Sequence, residues 1–215
     1  MKCPHCSSEI SATAAACTAC GFSAGAIRAH LGAEWVRLDR ITDNSQRLSL
    51  RDTRHLEAVL DDFERRFPQC FVALFLGPLP TPLTVMDLGF WLINHGAFHT
   101  ESMSKRNDYG IALVVDSLKQ TVGFTVGYAL EQVLTEPVLN RILTKVQAHF
   151  RKGNWGRAIE KAIKLIELTL KSQATKVDLD TDQLPPSLGD LGAMGLELLR
   201  KNHSSPASQP NKTHG

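Results

Sequence analysis

Four of the five cysteines fall within the first twenty residues, spaced Cys3-x2-Cys6-x10-Cys17-x2-Cys20. Two residues between thiols let both sulfurs of a pair reach one ion from a tight turn. Two such pairs complete the tetrahedron of thiolates that Zn2+ accepts without geometric strain. Pro4 stiffens the first turn, and Gly21 follows the last cysteine, where backbone amides turn toward the sulfurs. The ten-residue connector can hold two short ribbon strands. A redox dithiol pair and an iron–sulfur centre are the other uses of such a set. Four cysteines close the coordination sphere, so the metal is expected to fold this segment and not to catalyse. Twenty residues hold too little core to fold without it. His5 lies inside the first pair, but four cysteines already suffice. Cys70 precedes an apolar run and reads as a buried, inert thiol.

A chain of 215 residues with 43% hydrophobic and 21% charged residues can bury a core, which excludes wholesale disorder. Twenty-four basic against 22 acidic residues leave a formal charge of +2, too little for a generic polyanion binder. The metal and its four thiolates would form a doubly negative unit, so nucleic acid is an unlikely partner for the ribbon and another protein the expected one. The start of the chain shows no secretory pattern. Residues 71–98 come nearest to a membrane span, but Pro78, Pro80, Pro82, Asp87, Asn94 and His95 interrupt them. The expectation is a chain without membrane insertion in a reducing cytoplasm, where clustered cysteines more often hold metal than form disulfides.

Residues 23–30 are small and read as a linker. Ser49 with Asp52 three residues on forms a capping-box-like start. Leu56, Leu60, Phe63 and Phe67 then share one helical face, and Pro68 stops it. Residues 71–76 are a continuous apolar run, expected as a buried strand, and 84–98 a buried helix. A second buried strand is expected over 111–115, a turn over 116–119 and an alternating strand over 121–126. A helix follows with Thr135 as cap and Pro137 in its first turn. Another begins at Trp155 and weakens after Ser172. Residues 188–199 suggest a short helix, and the chain from 203 is rich in Ser, Pro, Asn and Gln, a composition expected to be disordered. This order implies an α/β sandwich around a small mixed sheet. The expected division is ribbon 1–22, linker 23–39, α/β domain 40–172 and an extension 173–215 that is largely disordered after 202. Chelation is expected to unfold 1–22 and leave the α/β domain intact.

Asn107-Asp108-Tyr109-Gly110 leading into a strand, Val126-Gly127-Tyr128-Ala129-Leu130-Glu131, Phe150-x-x-Gly153-Asn154-Trp155, and Asp43 with Leu48-Ser49 are four motif-like stretches. Together they resemble the TPM domain, the family of thylakoid-lumen, photosystem-repair and acetylcholine-receptor-modulator proteins. The likeness covers roughly residues 40–172. It implies a Rossmann-like α/β fold and, for some members, acid-phosphatase activity or binding of a divalent ion; others are regulators or assembly factors. An N-terminal zinc ribbon is an arrangement the bacterial members use. Two departures stand out: Ala129 replaces a family glycine, and Phe98-His99 occupies a position where glycine is common.

Asp108 precedes one strand and Glu131 follows the next, so a hairpin would bring them to one sheet edge. With Asp43 packed beside them, three carboxylates would suit Ca2+ or Mg2+. Such a metal could polarise a phosphate ester, with Asp108 as the candidate catalytic residue. The bland alternatives are a turn residue for Asp108 and a helix-start carboxylate for Glu131. His95 and His99 are four apart but lack the glutamate of a zinc-protease motif. No nucleophile elbow or Walker loop is present. Residues 136–171 carry eight basic and three acidic side chains, chiefly a solvated face. The sequence therefore favours a zinc-ribbon interaction, assembly or regulatory module, with a divalent-metal-dependent phosphatase as the alternative.

Overall fold

A computed structural model describes residues 3, 5, 6, 8–11, 13–32, 36–98 and 108–181, with side chains except at 36–38, 96–98 and 174–181. The expected helix at 188–199 and the tail from 203 lie outside the described residues. Residues 1–171 form one compact unit, and 172–215 are assigned to a second.

Three apolar runs build the centre of the first unit. β3 (Phe71–Gly77) is buried almost throughout, and β5 (Gly110–Asp116) completely. They pair in parallel, from Phe71 opposite Gly110 to Gly77 opposite Asp116. β6 (Thr121–Val126) returns antiparallel beside β5 across the expected hairpin. A short strand, β2 (Ile41–Asp43), extends the other edge parallel to β3, giving the order β2-β3-β5-β6. A separate two-stranded pair joins β1 (Val36–Leu38) to β4 (Gly96–Phe98). The sheet is mixed and flanked by five helices, so the α/β expectation holds.

Alternation along β3 and β5 divides the core between the two faces. Val72, Leu74, Ile111, Leu113 and Val115 face one cluster, shared with helices α2 (Leu50–Arg66), α4 (Glu136–Arg151) and α5 (Trp155–Thr181). Phe71, Ala73 and Val114 face the other, shared with α1 (Ala24–Leu31) and α3 (Val85–His95). Helix α3 lies close on β6. A Cβ at Gly89 would come 2.2 Å from Thr125 Oγ1, so only glycine admits this approach.

Local signals explain most helix boundaries. Ser49 and Asp52 form a reciprocal capping box at α2. Pro137 opens α4, although Thr135 makes no side-chain capping bond. The apolar run expected as helix to 98 ends at His95, and Gly96 starts β4. The segment 23–30, read as a linker, is helix α1. Ser23 Oγ accepts the Ala26 amide at 3.1 Å, Gly32 closes the last turn at φ +86°, and Ile27 is buried.

Candidate metal centre

The two Cys-x-x-Cys turns are backbone copies of each other. Cys3 N–H donates to the Ser8 carbonyl, and Cys17 N–H donates to the Phe22 carbonyl, both at 2.8 Å and five residues apart in sequence. In the second turn Gly21 N–H also donates to the Cys17 carbonyl, with Gly21 at φ +72°, a conformation side chains rarely adopt. These bonds aim the sulfurs inward. Cys3 and Cys17 are buried and Cys20 is exposed.

The Sγ atoms of Cys3 and Cys20 lie 3.7 Å apart, as do those of Cys6 and Cys17, and all four fall within 4.8 Å of one another. A tetrahedron with metal–sulfur bonds near 2.3 Å has edges of about 3.8 Å. The observed spacing matches that edge and is far too long for a disulfide. The thiols influence one another strongly. Cys6 is pulled down to about 6 by hydrogen bonds from the Ser8 hydroxyl and amide. At Cys20 the Phe22 amide pulls downward, but burial and hydrogen bonds with Cys6, Cys3 and Cys17 prevail and push the thiol up to about 12. Four thiolates cannot share this volume without a cation between them, and that is the donor chemistry of a soft or borderline divalent metal.

The predicted carboxylates behave differently. Asp108 and Glu131 do flank one sheet edge, where Gly127 N–H donates to the Gly110 carbonyl at 2.7 Å, and both are exposed. Asp43 does not join them. It lies opposite Leu76, which lies opposite Val115, so it belongs to the other end of the sheet. Five residues separate Gly110 from Val115, about 16 Å of strand. The cause is topological: β2 runs parallel to β3 and β5, so its C-terminal residue meets their C-terminal ends. Among the described residues the four cysteines are the only group of three or more potential His, Cys or carboxylate ligands. The structure therefore does not bring the three carboxylates together.

Asp43 instead organises its own loop. Oδ1 accepts from the Ser45 amide and hydroxyl at 3.1 and 3.0 Å, and Oδ2 accepts from the Leu48 amide at 2.7 Å. Asp43→Ala is expected to cost about 1–3 kcal/mol, the penalty for stranding such donors. Urea unfolding would measure it, with metal content unchanged; a change in metal content would reassign the residue. Asn107 and His99 lie outside the described residues, and His95 packs its ring 5.9 Å from Trp91. Cys70 is buried in the core, as expected. Among the described residues no helix is long and apolar enough to cross a membrane.

Sequence reading missed one residue beside the cysteines. Asp87 is only 4% exposed. Its Oδ2 accepts from the Thr84 amide and hydroxyl at 2.9 and 2.7 Å, while Thr84 Oγ1 accepts the Asp87 amide, a capping box that starts α3. Its Oδ1 lies 2.9 Å from His5 Nδ1, inside the first cysteine turn. Thr84-x-x-Asp87 announces the cap. Nothing in the sequence announces a partner 82 residues away. The ribbon thus touches the α/β domain: Phe22 packs against the cluster built on α3 and the sheet.

A model of the TPM domain matches residues 41–168, well over half of the chain. The chain belongs to the TPM-domain family. The fold is similar to that of the N-terminal domain of a P. gingivalis protein, 21% identical, with a TM-score of 0.50 over 62% of this chain and 83% of that one. The BA42 protein of Bizionia argentinensis is 12% identical, with a TM-score of 0.49 over 60% and 86% of the two chains. The N-terminal domain of cg2496 from Corynebacterium glutamicum is 12% identical, with a TM-score of 0.47 over 61% and 79%. No curated protein matches the chain. In this TPM protein, α1 and the cysteine turns lie outside the segment the family model matches.

Proposed function

We propose that this TPM-domain protein is a zinc-stabilised interaction or assembly module whose partner is another protein, working in the reducing cytoplasm. The convergence of four sulfurs within 4.8 Å carries the reading. Cys3, Cys6, Cys17 and Cys20 would hold the ion and leave it no open position, so its contribution is structural. A reducing compartment suits thiols kept as ligands. The alternative, a divalent-metal-dependent phosphatase implied by the family resemblance, has less behind it, because Asp43 lies at the other end of the sheet from Asp108 and Glu131.

Elemental analysis of the purified chain is expected to give one zinc per chain. Any phosphate-ester turnover is expected to be the same in wild type and Asp108→Asn. A partner complex isolated with the full chain should be lost when residues 3–22 are deleted. Hydrolysis abolished by Asp108→Asn with the fold intact would return the reading to an enzyme.

A further inference from the structure

We infer that Asp87 is a positioning residue of the metal centre: through His5 it fixes the Cys3–Cys6 turn on helix α3, so that metal retention and the order of the α1–α3 face are coupled. The inference rests on the metal reading above.

His5 stands between two ligands in sequence but is not in the four-sulfur group, and its Nδ1 meets Asp87 instead. A carboxylate oxygen accepts, so Nδ1 is the donor. The two oxygens of Asp87 divide the work. Oδ2 holds Thr84 and starts α3, and Oδ1 holds the cysteine turn. A buried carboxyl group is costly unless its oxygens are partnered, so losing His5 strands Oδ1. The second turn makes a parallel contact. Phe22, two residues after Cys20, stacks on His5 at 6.2 Å and meets Phe90 of α3 edge-on at 5.7 Å. Each cysteine turn therefore sends one ring to the same helix. Behind them, Ile27 of α1 is buried against that face, and Trp91 Nε1 donates to the Gly32 carbonyl at 3.0 Å.

These contacts share one dependence. The backbone of the turns is set while the sulfurs are held together, so release of the metal withdraws His5 and Phe22 at once. Linkage makes the effect reciprocal: whatever the ion contributes to α3, the α3 contacts contribute to holding the ion. A cleft of ≈170 Å³ opens beside the bond, lined by His5, Cys20, His30 and Asp87 among others. It gives a chelator access to the exposed Cys20 edge and leaves the first turn to restrain the ion. Removal of such outer partners typically weakens metal binding about 10–100-fold.

The test uses the full chain loaded with Co2+, whose thiolate absorption reports the coordination sphere. Wild type, His5→Ala, Asp87→Asn and the double variant are expected to bind one Co2+ with the same spectrum. Each single variant should release it to excess chelator about tenfold faster. The double variant should be no faster than Asp87→Asn alone, since His5→Ala then removes a contact that Asp87→Asn has already disrupted. His5→Gln, whose amide can still donate, should recover part of the loss. Hydrogen exchange should show lower protection of residues 85–95 in chelated wild type, with 155–171 unchanged. Release rates within twofold of wild type, additive losses in the double variant, or metal-independent protection of 85–95 would overturn the coupling alone. A wild type that binds neither Co2+ nor Zn2+ would overturn the metal reading, and the coupling with it.

Discussion

Cys17→Ser is expected to abolish tight metal binding and to unfold residues 3–22 together. Cys17 is 3% exposed and supplies both a sulfur and the amide bonded to Phe22. Serine keeps the amide but replaces a thiolate donor with a neutral hydroxyl. Structural zinc in small modules contributes about 10–16 kcal/mol of apparent binding free energy near neutral pH, and that energy is the folding energy of the module. Among the described residues of this segment no apolar cluster replaces it. Cobalt titration should show the loss directly, and limited proteolysis should cut the segment. Cys70→Ser is the control: its thiol is 2% exposed, remote from the four sulfurs in the α2-side cluster, so stability should fall while one equivalent of metal still binds. Full metal affinity in Cys17→Ser would show that three cysteines suffice. Because Phe22 and His5 rest on α3, hydrogen-exchange protection of that helix should also fall and become dependent on metal concentration.

The cysteine spacing could be read directly because a metal site needs only local turns at a suitable separation. The strands at 71–77, 110–116 and 121–126 were legible from apolar runs and alternation, and α2 from its capping box. The failures have physical causes. Ile41–Asp43 is too short to show a period, and its direction beside β3 decides which sheet edge Asp43 joins. The hairpin brings Asp108 and Glu131 to one end of the sheet because a two-strand turn is local; a parallel neighbour is not. Helix α1 looked like a linker because Ala24, Gly25, Ala26 and Ala29 are small. The signals that outweigh them are Ser23 as cap, Ile27 and Leu31 four apart, and Gly32 as stop. The His5–Asp87 bond joins residues 82 apart, and only the packed face brings them together.

Phe63→Ala should destabilise the α/β domain by about 3–5 kcal/mol without changing how the metal is held. Phe63 is 1% exposed on the inner face of α2, with its ring 5.2 Å from that of Phe67 and in the cluster with Leu56, Leu60 and Val72. Truncation loses the burial of a large ring and leaves a cavity that the sheet, fixed by hydrogen bonds to both neighbours, closes only in part. Single domains are stable by about 5–15 kcal/mol, so this one change removes a large fraction, and the melting temperature should drop by about 10–20 °C. The metal centre is on the other face, where Phe22 packs against the cluster that holds Ile27, Trp91 and Phe71. Below the lowered transition, the cobalt spectrum and the chelator release rate should therefore equal those of wild type. His5→Ala should give the converse, faster release with a smaller loss of stability. A Phe63→Ala protein that releases its metal faster while still folded would mean that strain crosses the sheet, and that the two faces are not the independent halves their residues describe.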